Sequence, residues 1–244
     1  MKLQNFEFQI AGMPDVFGPR DPSYVAHNHY RYDFYCESLK DLTLARIKTE
    51  PEIGLRCLLS KCKALENLCL YLLLGLNDND MSTLAHNYRN LRSISLLLRP
   101  QFCEDYVYRT ALTDDSLKAL ALRCPMLQYV DLAFFGCEPG WPELGFTQKG
   151  LVTLIQSCPI CDLKLNGADF FDDEGMKVLS CARFLESLEL MCCIAVTDAG
   201  MRHLACSPSL INLTLSLCDG FTDDGVGDVV RAGKLLLKNV LRSL

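Results

Sequence analysis

The hydrophobic positions of this chain recur in a short block in which apolar residues, mostly leucine, hold the first, fourth and sixth places. Within a block the inner apolar residues alternate with polar ones, which is the pattern of a strand with one buried face. Seven blocks begin at Leu39, Leu65, Leu91, Leu127, Ile160, Leu185 and Leu210. These starting points are 26, 26, 36, 33, 25 and 25 residues apart. Such a regular period indicates a repeat architecture.

A second shared segment lies between the blocks and has the pattern of a short helix. Five copies begin with Thr or Asp, whose side-chain oxygen can cap a helix N-terminus, as in "TDAGMRHLAC" and "TDDGVGDVV". Acidic residues follow in most copies and favour the positive end of the helix dipole. Apolar residues then recur at helical spacing, and in several copies a proline that cannot continue the helix follows closely.

Each repeat is therefore predicted to comprise a short strand, a turn and a helix of about two to three turns. We predict an α/β leucine-rich-repeat solenoid of about seven repeats, with a curved parallel sheet on the concave side and helices on the convex side. The repeats are expected to occupy residues 38–244, and residues 1–37 to form an N-terminal cap. An eighth block should start near Leu235, but it places Lys238 where an apolar residue is expected. This predicts a poorly protected last strand.

Composition and charge narrow the classes of function. Half of the 244 residues are hydrophobic, and the formal net charge is -6 with both signs interspersed. This balance argues against a nucleic-acid partner and against an anionic membrane surface. The chain has no apolar run of transmembrane length and no secretory signal at its start, so an intracellular protein, cytoplasmic or nuclear, is expected. The 14 cysteines are then expected to be free thiols.

The cysteines recur at equivalent places in successive repeats, which favours a role in packing. Cys206 aligns with Cys181, and Cys218 aligns with Cys193. A metal site needs ligands that converge on one point, and a ladder of single thiols does not supply them. The CxxC segment at 158–161 has no second pair of matching spacing. We predict no metal, no cofactor, no catalytic residue and no enzymatic activity.

The segment "CARFLESLELMCCIAVTDAGMRHLACSPSLINLTLSLCDGFTDDG" resembles the cysteine-containing leucine-rich repeats of F-box/LRR proteins, with a texture similar to plant members. The family pattern is roughly C-x-x-L-x-x-L-x-L-x-x-C-x-x-(I/V)-T-D-x-G-(L/M)-x-x-L. It is matched from Cys181 to Leu204 and again from Cys206 to Gly225, and the resemblance extends over about residues 38–230. It implies the substrate-recognition domain of an SCF-type E3 ubiquitin ligase subunit, acting in ubiquitin-dependent protein degradation.

No F-box is recognisable in this sequence, since residues 1–37 are short and rich in Gly, Pro and Tyr. A Skp-type adaptor and a cullin are therefore expected as partners only if a longer product carries an F-box. The alternative is an LRR-only scaffold or inhibitor protein with no link to ubiquitin. Either protein would be an interaction module whose partner is another protein.

Two regions are candidates for binding that partner. The residues between the leucines of each strand face the concave surface, and a basic partner segment would suit its acidic second half. The candidates there are Tyr129, Asp131, Lys164 and Glu189. A solvated face without a partner is the alternative.

The second region comprises the extra loops of the two longest repeats, near 97–111 and 133–146. Both follow a strand end in consecutive repeats, so they should emerge side by side on one rim. They are rich in large aromatic residues, which are typical anchors at interfaces. The candidate anchors are Phe102, Tyr106, Tyr108 and Trp141. Other aromatics of these loops, Phe134 and Phe135, are expected to seal the loops onto the sheet.

Overall fold

The computed structural model describes residues 4–9, 37–45, 62–71, 76–98, 101–103, 106–108, 112–134, 145–232 and 236–241. The strands are β1 (Asn5–Gln9), β2 (Asp41–Ala45), β3 (Asn67–Tyr71), β4 (Ser93–Leu98), β5 (Gln101–Cys103), β6 (Tyr106–Tyr108), β7 (Tyr129–Phe134), β8 (Asp162–Asn166), β9 (Ser187–Met191), β10 (Asn212–Ser216) and β11 (Leu236–Leu241). The helices are α1 (Asp78–Asn87), α2 (Asp114–Arg123), α3 (Gln148–Ser157), α4 (Asp173–Leu179), α5 (Asp198–Leu204) and α6 (Asp223–Arg231). From β3 onwards strands and helices alternate along the described chain, apart from the hairpin inserted after β4.

One parallel sheet runs through the described part of the chain in the order β1-β2-β3-β4-β7-β8-β9-β10-β11, and β5 and β6 form a separate antiparallel hairpin. The seven predicted blocks supply β2, β3, β4, β7, β8, β9 and β10. Each strand pairs with the strand of the next repeat, and helices of successive repeats pack on one another. The predicted leucine-rich-repeat solenoid is therefore confirmed.

The core is built from rows of apolar side chains that run across the strands. One row contains Leu68, Ile94, Val130, Leu163, Leu188 and Leu213, which are paired in register and almost fully buried. Burying a side chain of this size stabilises the fold by roughly 2 kcal/mol, so no repeat can expose its row without a large loss. The polar residues between the rows occupy the other face of the sheet, called the concave face below.

A hydrogen-bonded ladder joins the N-termini of successive helices. In each step the first Asp of one helix accepts hydrogen bonds from the backbone N–H and the hydroxyl of the Thr that precedes the next helix. The steps are Asp78–Thr113, Asp114–Thr147, Asp173–Thr197 and Asp198–Thr222, with donor–acceptor distances of 2.6–2.8 Å. The Thr–Asp dipeptides at 113–114 and 197–198 therefore connect their repeats to both neighbours.

The structure contains the predicted side-chain caps at all but one of these helices. The side chains of Thr113, Asp172, Thr197 and Thr222 accept hydrogen bonds from backbone N–H groups of their own helices. Thr147 makes no such bond to α3, so the cap prediction is wrong there. Its hydroxyl instead donates to Asp114 at 2.6 Å.

The glycine near the start of several helices makes room for the ladder. A Cβ at Gly225 would lie 2.3 Å from the carboxylate Oδ1 of Asp198, and a Cβ at Gly200 would lie 2.4 Å from Oδ1 of Asp173. These distances are far inside van der Waals contact. The glycine of the "TDxG" motif is thus required by the neighbouring repeat rather than by its own backbone conformation.

The ladder is interrupted between α3 and α4. Gln148 stands where the other helices have Asp, and its Oε1 accepts a single hydrogen bond of 2.9 Å from the N–H of Asp172. Asp172 caps α4 but has no hydroxyl to donate, unlike the threonines elsewhere. α3 and α4 are also packed less closely than the other neighbouring helices. The coupling between repeats is therefore weakest at this boundary among the described helices.

Buried cysteines form a second periodic feature. The thiols of Cys124 and Cys158 donate to carbonyl oxygens of the preceding repeat at 3.5 Å, and those of Cys193 and Cys218 do so at 3.6 and 3.5 Å. Each of these thiols is buried and adds a hydrogen bond between its own repeat and the preceding one. The predicted packing role is confirmed at these positions.

The packing interpretation is wrong for Cys181 and Cys206, which are exposed. In α2 and α3 the cysteine is itself the C-cap and turns into the core. In α4 and α5 the C-caps are Ser180 and Ala205, so the cysteine follows one residue later and lies on the surface.

Each end of the sheet carries one strand beyond the seven predicted blocks. β1 lies within the predicted N-terminal cap and pairs with β2 in parallel, with Phe6 opposite Leu42. At the other end β11 pairs with β10, and a register shift between Leu213 and Thr214 leaves Lys238 without an opposite residue. Val240 is thereby aligned with Leu215, so the lysine does not break the apolar row. The exposure of this strand lies outside the described side chains, and its poor protection stays a prediction.

Candidate partner-binding surface

The register of the sheet brings the four predicted concave-face residues together. Asp131 of β7 lies opposite Lys164 of β8, and Lys164 lies opposite Glu189 of β9. Tyr129 lies one row away, opposite Asp162. Because adjacent strands are about 4.8 Å apart, these side chains form one contiguous surface, called the central cluster below.

Lys164 is the centre of this cluster. Its Nζ lies 3.0 Å from Oε2 of Glu189 and 5.9 Å from the ring centroid of Tyr129. The hydrogen bond with Glu189 raises the pKa of Lys164, and burial opposes this effect. The ammonium group is therefore held in its charged form between a carboxylate and an aromatic face.

Asp131 is half-buried beside this ion pair. Burial raises the pKa of Asp131, and the charges of Glu189 and Asp162 raise it further, while Lys164 and a hydrogen bond with Ser95 lower it. The cluster contains three carboxylates, Asp131, Asp162 and Glu189, against one lysine. With all four groups ionised its net charge is −2, which leaves room for a cationic group from outside.

Two tyrosines make the same region partly apolar. Burial is the main cause that raises the pKa of Tyr129, and it raises the pKa of Tyr71 to about 12. Tyr71, on β3, also interacts electrostatically with Asp131 and Tyr129. Both rings stay neutral at physiological pH and can contact an aliphatic or guanidinium group.

Three residues of this surface, Tyr71, Ser95 and Asp162, were not among the predicted site residues. Ser95 and Asp162 occupy places between the apolar residues of their blocks, which face the concave surface. The strand register aligns them with the cluster. Tyr71 is the last residue of its strand, beyond the apolar positions that mark the block. Counting this extra position in every strand would have identified it.

The two long loops begin and end at neighbouring positions. They leave the sheet after Leu98 and Phe134, which are paired across β4 and β7. They return at Thr113, directly before α2, and at Gly145, three residues before the start of α3, and these two residues form an isolated parallel bridge. The predicted side-by-side arrangement of the loops is supported at both of their ends.

Within the first loop the chain forms the β5–β6 hairpin, in which Phe102 pairs with Val107 and Tyr106 pairs with Cys103. Tyr108 is the last residue of β6, opposite Gln101. Trp141 lies outside the described residues. The binding role of Phe102, Tyr106, Tyr108 and Trp141 stays a prediction.

The aromatic residues at the base of the second loop pack against the solenoid. Phe134 is almost fully buried, and its ring makes edge-to-face contacts with Phe146 at 5.9 Å and with Phe170 at 5.4 Å between centroids. The predicted sealing role of Phe134 is confirmed, whereas Phe135 lies outside the described residues. Phe146 is buried as well and is therefore part of the seal.

The thiols and carboxylates of the described segments differ in their surroundings. No group of three His, Cys, Asp or Glu residues in these segments is arranged to hold a metal ion. Burial raises the pKa of Cys158 to about 11 and that of Cys124 to about 12, whereas the hydrogen bond with Cys193 lowers the pKa of Cys218 to about 7. The thiol of Cys218 is buried, unlike the partly exposed thiols of reactive sites. Among the helices in these segments, none is long and apolar enough to cross a membrane.

Comparison with known proteins adds little beyond the architecture. No family model matches the chain. Among solved structures, a chain of the crystal structure of the Rad7 and Elc1 complex in yeast is similar over 83% of this chain and 69% of that one. The TM-score is 0.35 and the sequence identity is 14%. A similarity at this level bears on neither function nor partners.

Proposed function

We propose that this chain is a protein-interaction module that binds a protein target through the concave face and the adjacent rim loops. The observation that carries the proposal is the central cluster. It places partly buried charged groups and two tyrosines on a surface where no neighbouring element of the described chain covers them. Partly desolvated charges of one sign give specificity to an interface because only a complementary partner can neutralise them.

The proposed target segment is basic. The net charge of −2 in the central cluster favours a lysine or arginine side chain of the target, which can approach Asp131 and contact the ring of Tyr71 or Tyr129. The ammonium group of Lys164, paired with Glu189, lies beside this position and would repel a cation that approached it directly. The rim loops supply the aromatic anchors Phe102, Tyr106, Tyr108 and Trp141 in this proposal.

We further propose that the module acts without enzymatic chemistry of its own, as the substrate-recognition domain of an SCF-type E3 ubiquitin ligase subunit. The support is the resemblance of residues 181–225 to the repeats of F-box/LRR proteins. Association with a Skp-type adaptor and a cullin requires an F-box in a longer product. An LRR-only scaffold or inhibitor protein would use the same surface, so the two functions differ in their other partners.

The test is affinity purification from the native cell with three forms of the chain as bait. They are the unchanged chain, the double variant Asp131→Asn/Glu189→Gln, and Asp115→Asn/Asp224→Asn as a charge-matched control at exposed positions of α2 and α6. We expect a target that is recovered with the first and third baits and reduced at least tenfold with the second. Targets recovered equally with all three would contradict the role of the central cluster.

The proposed role in a ubiquitin ligase is tested separately. If the longest product of the gene co-purifies with a Skp-type adaptor and its depletion prolongs the half-life of the captured target, the ligase function is supported. One-to-one binding of the target with no adaptor and no change in half-life would instead support the scaffold or inhibitor.

A further inference from the structure

A second surface lies on the helix side of the solenoid, between α3 and α4. A groove with a volume of about 640 Å³ separates the C-terminal half of α3 from the exposed side of α4 and the turn that follows it. Its apolar lining comes from Ile155, Cys158, Pro159, Val178, Ala182 and Phe184. A volume of this size admits several side chains of a peptide.

The groove exists because the repeat pattern changes at this boundary. α3 ends in an extended C-cap at Cys158 followed by Pro159, so it cannot continue alongside α4. The usual Asp–Thr connection is replaced by the single bond between Gln148 and Asp172. α3 and α4 consequently pack against each other less closely than the other pairs of neighbouring helices do.

Large apolar side chains are exposed along this surface. Phe184 is 58% exposed, and Met126, at the equivalent position two repeats earlier, is 39% exposed. Pro159 occupies the same position in the repeat between them, so the three residues form an apolar strip. In other repeats this position carries the small or polar residues Ala64, Asn90 and Ser209. The strip is thus particular to the repeats around the groove.

The charge of the groove is opposite to that of the whole chain. Its charged lining residues are Lys177, Arg183 and Glu174, which sum to +1, whereas the chain carries −6. Glu174 is already paired with Lys177 at 3.3 Å. α3 contributes no acidic residue to either wall. Among the charged lining residues this leaves Arg183 as the one that supplies the net positive charge of the groove.

We propose that this groove docks an amphipathic segment of a partner protein, with apolar side chains packed on Phe184 and Val178 and a carboxylate paired with Arg183. The site lies on the opposite side of the solenoid from the central cluster and has the opposite charge preference. One chain can therefore hold a basic segment on its concave face and an acidic, apolar segment on its helices.

The experiment is selection of a displayed random 12-residue peptide library on the unchanged full chain, followed by affinity measurement of synthetic peptides. We expect a family of peptides that combine Leu, Ile or Phe with Asp or Glu. Phe184→Ala and Arg183→Glu should each weaken their binding at least tenfold. Val230→Ala, which alters a side chain of similar exposure on α6, should leave it unchanged.

Charge reversal provides the sharper outcome. Selection repeated on the Arg183→Glu variant should recover peptides in which Lys or Arg replaces the acidic residues. The proposal is overturned if no selected peptide depends on Phe184, or if the charge preference does not follow residue 183. It is also overturned if the unchanged chain binds no peptide but forms a dimer that Phe184→Ala abolishes, since the occupant is then a second copy. Thermal unfolding of each variant establishes that these exposed substitutions leave the fold intact.

Discussion

Thr197 donates two hydrogen bonds to the carboxylate of Asp173, one of 2.8 Å from its backbone N–H and one of 2.6 Å from its hydroxyl. The N–H of Gly200 donates a third, of 2.9 Å, to the same group. One carboxylate thus anchors the first turn of the following helix. Four steps of this kind account for the Thr–Asp dipeptides that the sequence repeats.

Removal of this carboxylate should weaken the solenoid. We expect Asp173→Ala to lower the free energy of unfolding by about 1–2 kcal/mol, because hydrogen bonds to a charged group are lost but their donors can reach water. Urea unfolding followed by circular dichroism measures the change. The control is Glu174→Gln in the same helix, which removes only an exposed ion pair and should change stability by less than about 0.5 kcal/mol. Equal effects would show that the ladder adds nothing to stability.

Two glycines of α6 should respond in opposite directions to alanine. Gly225→Ala places a Cβ 2.3 Å from the Asp198 carboxylate, so we expect a loss of about 2 kcal/mol. The Cβ of Gly227→Ala would meet its nearest neighbour, the flexible side chain of Arg231, only at 3.4 Å. That substitution should stabilise the protein by about 0.5–1 kcal/mol through helix propensity. Destabilisation of the same size in both variants would contradict the proposed role of the ladder glycine.

The ladder also predicts an acid-dependent loss of stability. The N–H and hydroxyl of Thr222 lower the pKa of Asp198 below the ordinary value of 3.8. A carboxyl group with a lowered pKa stabilises the folded state above its unfolded pKa, and this contribution disappears as the pH falls through the folded value. In an NMR titration of the carboxyl carbon, Thr222→Ala should raise the pKa of Asp198 towards 3.8. Thr113→Ala, in another step, should leave it unchanged.

The ionised carboxylate of Asp131, which serves the proposed binding of a cation, is expected to lower the stability of the folded state. Its pKa is raised above 3.8, first by burial, so the folded state loses stability as the pH rises from 3.8 through the higher folded value. Asp131→Asn cannot ionise and should therefore be more stable at neutral pH, by less than about 1 kcal/mol because the group keeps contact with water. This advantage should vanish below pH 3.8.

Urea unfolding at neutral and acid pH measures this difference. Asp115→Asn is the control, since Asp115 is exposed and paired with Lys118 at 2.9 Å. It should give no gain at neutral pH. A gain in Asp115→Asn as large as that in Asp131→Asn would point to net charge rather than to burial of one carboxylate.

Local patterns predicted most of the architecture because each repeat is stabilised by its immediate neighbours. The leucine blocks identified seven strands, and the extra loops appeared as two long intervals between blocks. β1 was not predicted because "NFEFQ" is a single short alternation without a block. The register shift at Lys238 was missed because a lysine at an apolar place of the block is compatible with a bulge and with the end of the repeat, and only strand pairing distinguishes the two.

The site was predicted less completely than the fold. Asp131, Lys164 and Glu189 could be grouped because they hold one place in consecutive blocks. The electrostatic role of Asp162 and the contribution of Tyr71 depend on side-chain burial, which a sequence period does not contain. The groove between α3 and α4 depends on a missing contact, and the replacements of Asp by Gln148 and of Thr by Asp172 mark it in the sequence.

The paired ends of the two long loops determine how this protein can change. Each loop begins and ends at paired positions of the framework, Leu98 beside Phe134 and Thr113 beside Gly145. Substitutions and length changes in these loops are thereby separated from the core that folds the chain. This is the arrangement by which hypervariable loops diversify on a constant framework, and it makes the two loops a natural place to graft new recognition sequences.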